Sequence, residues 1–187
     1  MATIRKMRPS DMADVEYVCR MTAGPVCEKE PIIGNRIAKM FSTYYVRECY
    51  DTCFVLADDN DRVVGYVLCE PDYKRFAKVY TTKDVPAILK LDLKSGLKAM
   101  SFPFPYTFFG IKYPAHLHID ILPQYQSQGY GAKMIETLFE ELRSRKVKGI
   151  MLMAGSYNTG AVRFYTRLGF KTLADKLGTV TMVKNLS

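Results

Sequence analysis

The sequence predicts an α/β protein: a central mixed β-sheet of about six to seven strands flanked by helices. Residues 53–69 read as two apolar strands joined by the polar reversal Asp58-Asp59-Asn60-Asp61, the pattern of an antiparallel hairpin. Residues 115–154 run strand, glycine turn, helix, strand, a βαβ unit whose two strands lie side by side and parallel. Amphipathic segments elsewhere supply the covering helices.

Taken in order, residues 2–8 are the first expected strand. Pro9-Ser10-Asp11 then opens a helix, with Asp11 and Asp14 where the positive end of its dipole favours acids, and the helix runs to about Met21. Gly24-Pro25 interrupts it. A second amphipathic segment from about Gly34 to Glu48 carries Ile37, Met40, Phe41, Tyr44 and Tyr45 at helical spacing, as core contacts or as a groove wall. The hairpin follows. From Glu70 to Pro114 the pattern is irregular, with one helix expected from about Pro86 to Met100 and then an aromatic, proline-broken run from Phe102 to Tyr113. A connection that long is either a lid or binding loop, or a packed insertion over apolar surface.

Regular structure resumes with the alternating strand Ala115 to Leu122, closed by Pro123. The helix 132–146 sets Met134, Ile135, Leu138, Phe139 and Leu142 on one face. Gly149 to Ala154 is fully apolar, as in a strand buried inside a sheet. Asn158 to Leu168 is a short helix stopped by Gly169, and 170–174 and 179–184 are closing strands.

At 48% hydrophobic and 25% charged, residues 1–187 have the makeup of a single domain, with an insertion at about 70–114. No apolar run is long enough to cross a bilayer, and the first ten residues hold no signal-peptide core, so a cytoplasmic protein without a membrane partner is expected. Five cysteines, all in the first half, form no paired CxxC units; they are expected as reduced, buried thiols, with no metal. The formal charge of +8 is compatible with nucleic acid, an anionic membrane or a polyanionic small molecule. Scattered basic residues without a nucleic-acid motif place nucleic acid last.

The most informative stretch is Gln126-Ser127-Gln128-Gly129-Tyr130-Gly131. A strand that turns through close-set glycines into a helix aims unpaired N–H groups and a positive dipole end at one spot, which suits a pyrophosphate.

Gln126-x-x-Gly129-x-Gly131 also resembles the acetyl-CoA pyrophosphate signature of the GNAT acetyltransferases. Asn158-x-x-Ala161-x-x-Phe164-Tyr165-x-x-Leu168-Gly169-Phe170 is similar to the family's next block, at the expected spacing. The likeness covers roughly residues 115–175. Within the family, Tyr113 to Pro123 looks most like the subgroup similar to the acetyltransferase-like C-terminal domain of O-GlcNAcases, and His116-Leu117-His118 resembles the paired strand histidines of arylalkylamine N-acetyltransferases.

The resemblance implies a GNAT-like sheet and acetyl-CoA as cofactor, with CoA as product. It implies cofactor contacts at Ile121, Leu122, Gln126, Ser127, Gln128, Gly129, Tyr130, Gly131, Ala132, Asn158 and Tyr165, with Tyr165 as the acid that protonates the departing thiolate. Asn158 is equally a helix N-cap, and Tyr165 is otherwise a core position in the stripe Ala161, Phe164, Tyr165, Leu168. Acetyl transfer needs a neutral amine, and a primary alkylamine with pKa about 10.4 is mostly protonated at neutral pH. His116, His118 and Asp120 alternate onto one strand face and are the candidate proton-handling groups, with Asp120 expected to orient a histidine or a substrate ammonium ahead of acting as the base itself, or else they form a face packed against a helix. No cysteine lies in these motifs, which favours direct attack in a ternary complex. The acceptor is an amine, of a small molecule or a protein, lying against the insertion and the second helical segment. Tyr44, Tyr45, Phe102, Phe104, Tyr106, Phe108 and Phe109 are its candidate contacts, or simply core. A monomer or homodimer is expected. The competing expectation is a catalytically silent binding module that retains the fold, with or without CoA binding.

Overall fold

The computed structural model describes residues 2–101 and 103–187; the side chains of residues 28 and 104–106 lie outside the description. The chain begins with β1 (Thr3–Lys6) and a 3-10 turn, then α1 (Met12–Thr22), α2 (Pro25–Lys29), α3 (Pro31–Phe41) and α4 (Thr43–Glu48). The hairpin β2 (Phe54–Ala57) and β3 (Val63–Glu70) follows, then α5 (Tyr73–Val79), a π-helical turn (Tyr80–Asp84), α6 (Val85–Leu91), α7 (Leu93–Ser101) and α8 (Phe104–Phe109). Next come β4 (Ala115–Ile121), α9 (Tyr130–Ser144), β5 (Gly149–Gly155), α10 (Thr159–Arg167), β6 (Lys171–Lys176) and β7 (Thr179–Asn185).

The seven strands form one sheet in the order β1-β2-β3-β4-β5-β7-β6. Only β4 and β5 pair in parallel; every other neighbouring pair is antiparallel. The mixed sheet, the hairpin and the βαβ unit therefore form as the sequence predicts. One register detail positions the site. β3 and β4 pair as far as Gly65↔Ile121, whereas β4 and β5 pair only at Ala115↔Ile150 and His116↔Met151. Beyond His116 the two central strands part, and a wedge opens in the middle of the sheet.

Helices cover both faces. The even positions of β4 meet the N-terminal helices: the His116 ring lies 5.8 Å from that of Tyr45 on α4 and 4.5 Å from that of Phe76 on α5. On the odd face, Ile121 lies beside Gly131 at the start of α9, where Phe164 of α10 also packs. Met134, Ile135, Leu138 and Leu142 of α9 are wholly buried, the stripe expected from their spacing. All five cysteines are free and buried. Among the described residues, no helix is long and apolar enough to cross a membrane.

Two expectations are corrected. The segment 34–48 is not one helix: it breaks at Ser42, whose hydroxyl turns back to donate to the Ala38 carbonyl at 2.8 Å, the side-chain competition that makes serine a poor mid-helix residue. The stretch 70–114 is not irregular but mostly helical. Asp72 caps α5 by accepting from the backbone N–H groups of Lys74 and Arg75, and the Asp92 carboxylate accepts from Ser95 N at 2.7 Å where α7 begins. Gly96 lets α7 close directly onto Leu89 of α6, so one expected helix is a tight pair. Phe76, Tyr80, Ile88 and Ala99 are buried in the common core. The insertion is thus part of the fold.

Candidate active site

The glycine turn sits at the end of β4 nearest the wedge. After Leu122 a 3-10 turn (Pro123–Tyr125) leads into Gln126. Ser127 (φ 60°) and Gly129 (φ 82°) both adopt the left-handed backbone, and for a residue at that φ glycine carries no steric penalty. Gly129 is the N-cap of α9. The bond from Lys133 N to the Gly129 carbonyl (3.3 Å) opens the helical ladder, so the N–H groups of Gly129, Tyr130, Gly131 and Ala132 precede it. The first turn carries no acid, and the dipole of this 15-residue helix is uncompensated there. A Cβ on Gly131 would meet the Phe164 ring at 3.2 Å, so glycine also lets the two helices approach closely here. The Gln126 side chain turns inward, donating to the Ile121 carbonyl at 2.7 Å, and Gln128 donates to the Gln124 carbonyl at 2.9 Å. Both amides brace the loop by bonding to its own backbone.

Asn158 caps α10, its side-chain oxygen accepting from Ala161 N at 3.0 Å. Tyr165 on this helix is nearly buried, its ring edge-on to Phe164 (5.2 Å) and Phe170 (5.7 Å). Among the described residues its hydroxyl makes no hydrogen bond, and it is not one of the sealed polar atoms. Burial raises its pKa, and the Asp120 charge raises it further, so the phenol is a protonated donor throughout the neutral range.

The three alternating β4 groups share a face, as predicted, but not an environment. His116 is fully buried, with Nε2 and the Tyr45 hydroxyl 2.9 Å apart in a hydrogen bond. Burial holds its pKa well below 6.5, with the His118 charge adding to the effect. His118 is half-buried, with its ring near Phe41 and Tyr45; burial lowers its pKa to about 4. Asp120, also half-buried, is pushed up to about 6 by burial, against opposing hydrogen bonds from Tyr66 and Thr22. Tyr66 stands opposite it in the β3–β4 register and donates its hydroxyl to the carboxylate.

On the same face a cavity of about 680 Å³ opens beside the wedge. Phe41 and His118 form part of its wall, Met153 to Gly155 and Thr181 its strand side, and Lys98 and Ser101 of α7 reach it from the insertion. The insertion is therefore packed into the core and also lines this cavity. Of the aromatics expected to contact an acceptor, Tyr44 and Tyr45 are core, and the Tyr44 hydroxyl donates to the buried Glu70 carboxylate at 2.6 Å. Phe108 is exposed to solvent and Phe109 packs at the edge of the core. Phe102 and the side chains of Phe104 and Tyr106 lie outside the described residues. Tyr66, Lys98, Lys176 and Thr181 were missed by sequence reasoning. The Tyr66 partnership is a matter of strand register, and the lysines meet the cavity only through the folding of distant segments.

In comparisons with known proteins, residues 34–170 match the acetyltransferase (GNAT) family. Among solved structures the chain is similar to SsHAT, at 30% identity and a TM-score of 0.90, covering 100% of this chain and 98% of that one. It is similar in fold to the PaiA N-acetyltransferase of Thermoplasma acidophilum in complex with coenzyme A (12% identity, TM-score 0.62, 99% of each chain). It is likewise similar in fold to YncA of Salmonella typhimurium with its cofactor acetyl-CoA (15% identity, TM-score 0.60, 100% of this chain and 95% of that one).

Proposed function

Since this chain belongs to the acetyltransferase (GNAT) family, we propose that it transfers an acetyl group from acetyl-CoA to an amine by direct attack in a ternary complex. One observation carries the proposal: the wedge between β4 and β5 opens beside the uncapped start of α9, so an anion cradle and a gap in the sheet adjoin. The residues fit the cofactor. The N–H groups of Gly129 to Ala132 would hold its pyrophosphate, the freed edge of β4 at Ile121 and Leu122 its pantetheine arm, and Asn158 and Tyr165 would flank it. The likeness of its fold to that of PaiA and YncA, solved with CoA and acetyl-CoA, supports this.

When bound, acetyl-CoA supplies a thioester that an uncharged amine can attack. The protein's part is proton handling and exclusion of water. Asp120 is ionised at neutral pH, yet its raised pKa makes it a better base than an ordinary carboxylate; its carboxylate takes the ammonium proton, directly or through water. His118 stays neutral and positions the amine by hydrogen bonding. His116, locked to Tyr45, supports this strand from within the core. The Tyr165 hydroxyl donates its proton to the departing sulfur. Cys19, which lies near Tyr66 and Asp120, is pushed up to about 12 by burial, so it offers no thiolate for a covalent route.

The finer likeness to the O-GlcNAcase-type subgroup rests on residues 113–123 alone and carries the silent-module alternative with it. Calorimetric titration with acetyl-CoA, then an amine panel followed by thiol release, separates the two. Binding with turnover of at least one amine supports acetyl transfer, binding without any turnover supports the silent module, and absence of binding removes acetyl transfer and leaves a silent module that does not hold CoA.

A further inference from the structure

The cavity beside the wedge has an uneven chemistry. Lys98 of α7 and Lys176 of β6 both line it, with Thr179 and Thr181 of β7 on its strand side. Among the described residues, no Asp or Glu lines it. Neither lysine makes an ion pair among the described residues, although the protein pairs many of its other cations: Arg5 with Asp11, Arg47 with Asp84 and Arg75 with Glu70. Thr181 is buried as a residue, yet among the described residues its hydroxyl is neither sealed nor bonded to a protein partner. Hydroxyl donors and two uncommitted ammonium groups thus surround a space within the size range of small-molecule pockets.

Building on the acetyl-transfer reading, we propose that this cavity selects a small amine that also carries an anionic group, a carboxylate or a phosphate, in the same molecule. The anion is held between Lys98 and Lys176 with the threonine hydroxyls beneath it, and the amino end points past His118 toward the wedge. The same arrangement explains one further demand. A second ammonium on the acceptor would face like charge with no carboxylate among the described lining residues to meet it, so diamines are rejected. The formal charge of +8 draws anions in general toward the protein; the lining turns that attraction into selection at one place.

The test compares four-carbon amines on the enzyme saturated with acetyl-CoA: γ-aminobutyrate, butylamine and putrescine, which add a carboxylate, nothing and a second ammonium to similar chains. Phosphoethanolamine against ethanolamine is the phosphate arm and distinguishes the two anion sources. At least one anionic amine is expected to exceed its uncharged counterpart in kcat/KM by about tenfold, as two partly exposed ion pairs allow, with putrescine the poorest substrate. The double variant Lys98→Gln, Lys176→Gln is expected to erase that preference while the Kd for acetyl-CoA stays unchanged. Equal rates across the panel, a preference that survives in the double variant, or weakened acetyl-CoA binding in it would each overturn the proposal. Calorimetry of the same amines on the CoA-loaded protein keeps the cavity separate from catalysis. If no amine turns over, the acetyl-transfer reading fails; the anionic amines then still bind, and bind worse to the double variant, if the cavity has been read correctly, and show no heat if it has not.

Discussion

Replacing Asp120 by asparagine tests the environment on which the chemistry depends. The carboxyl titrates near 3.8 in the ordinary state and near 6 in the folded protein, because burial opposes its charge more strongly than Tyr66 and Thr22 favour it. A carboxyl raised in this way binds its proton more tightly in the native state. The native state therefore carries a penalty that is complete above pH 6 and disappears as pH falls toward 3.8. At 1.36 kcal/mol per pKa unit the full penalty is about 3 kcal/mol. Asparagine keeps the shape and an acceptor for the Tyr66 hydroxyl but removes the charge. Asp120→Asn should accordingly be more stable than the parent by about 3 kcal/mol near pH 7.5, and by only about 1 kcal/mol near pH 4.5. For a chain of this size the first figure is a rise in Tm of roughly 6–12 °C. The same variant should lose turnover by about 10²-fold, since the proposed base is gone. Urea melts at both pH values give the stabilities. An asparagine variant no more stable than the parent near pH 7.5, or one whose advantage does not shrink with acid, would refute the account of a desolvated carboxylate.

Other outcomes follow from the same geometry. Tyr165→Phe should lower kcat by about 10²-fold while leaving the Kd for CoA within about twofold, checked by thiol release and calorimetry; an unchanged kcat removes Tyr165 from the acid role. Gly129→Val places a branched side chain at φ 82°, where nothing in the protein lies within 4 Å of its Cβ. It should cost about 1–2 kcal/mol of stability and, by disturbing the cradle, weaken CoA binding by about 10²-fold or more, with a cooperative melt showing that the chain still folds. Glu70→Ala strands the Tyr44 hydroxyl and frees Arg75, so it should destabilise by about 3 kcal/mol, measured by denaturant unfolding, and a loss under about 1 kcal/mol would show that this buried cluster contributes little.

The legible parts of the site were those built from local chain geometry. The turn at Gly129 and Gly131, the alternation of His116, His118 and Asp120, and the stripe of α10 each depend on residues close in sequence, and backbone periodicity alone sets which of them share a face. Depth was not legible. Alternation puts His116 and His118 on one side of β4 but cannot tell that Tyr45 and Phe76 close over the first while the second borders a cavity. The insertion was obscured for another reason: α5, α6 and α8 are only six or seven residues long, too short for a period of 3.6 to stand out, and their caps at Asp72 and Asp92 look like ordinary loop acids. Lys98 and Lys176 reach the cavity from segments separated by β4, α9, β5 and α10, a proximity that only the folded topology creates.

The parting of β4 and β5 links these levels. From Leu117 onward β4 pairs with β3 on one edge but not with β5 on the other, so N–H and C=O groups along that edge lack the ladder partners that buried backbone requires. Leaving such groups dry costs free energy comparable to lost hydrogen bonds; water relieves that cost, and so does a ligand that brings amides of its own along an extended arm. The wedge thus favours an amide-bearing chain inserted edge-on, with its anionic end at the N-terminus of α9. Insertion would also expel water from the surroundings of Asp120 and Tyr165. Both groups already have raised pKa values through burial, and further loss of water would raise them again, making the Asp120 carboxylate more basic and keeping the Tyr165 phenol protonated, as the proposed roles of base and acid require.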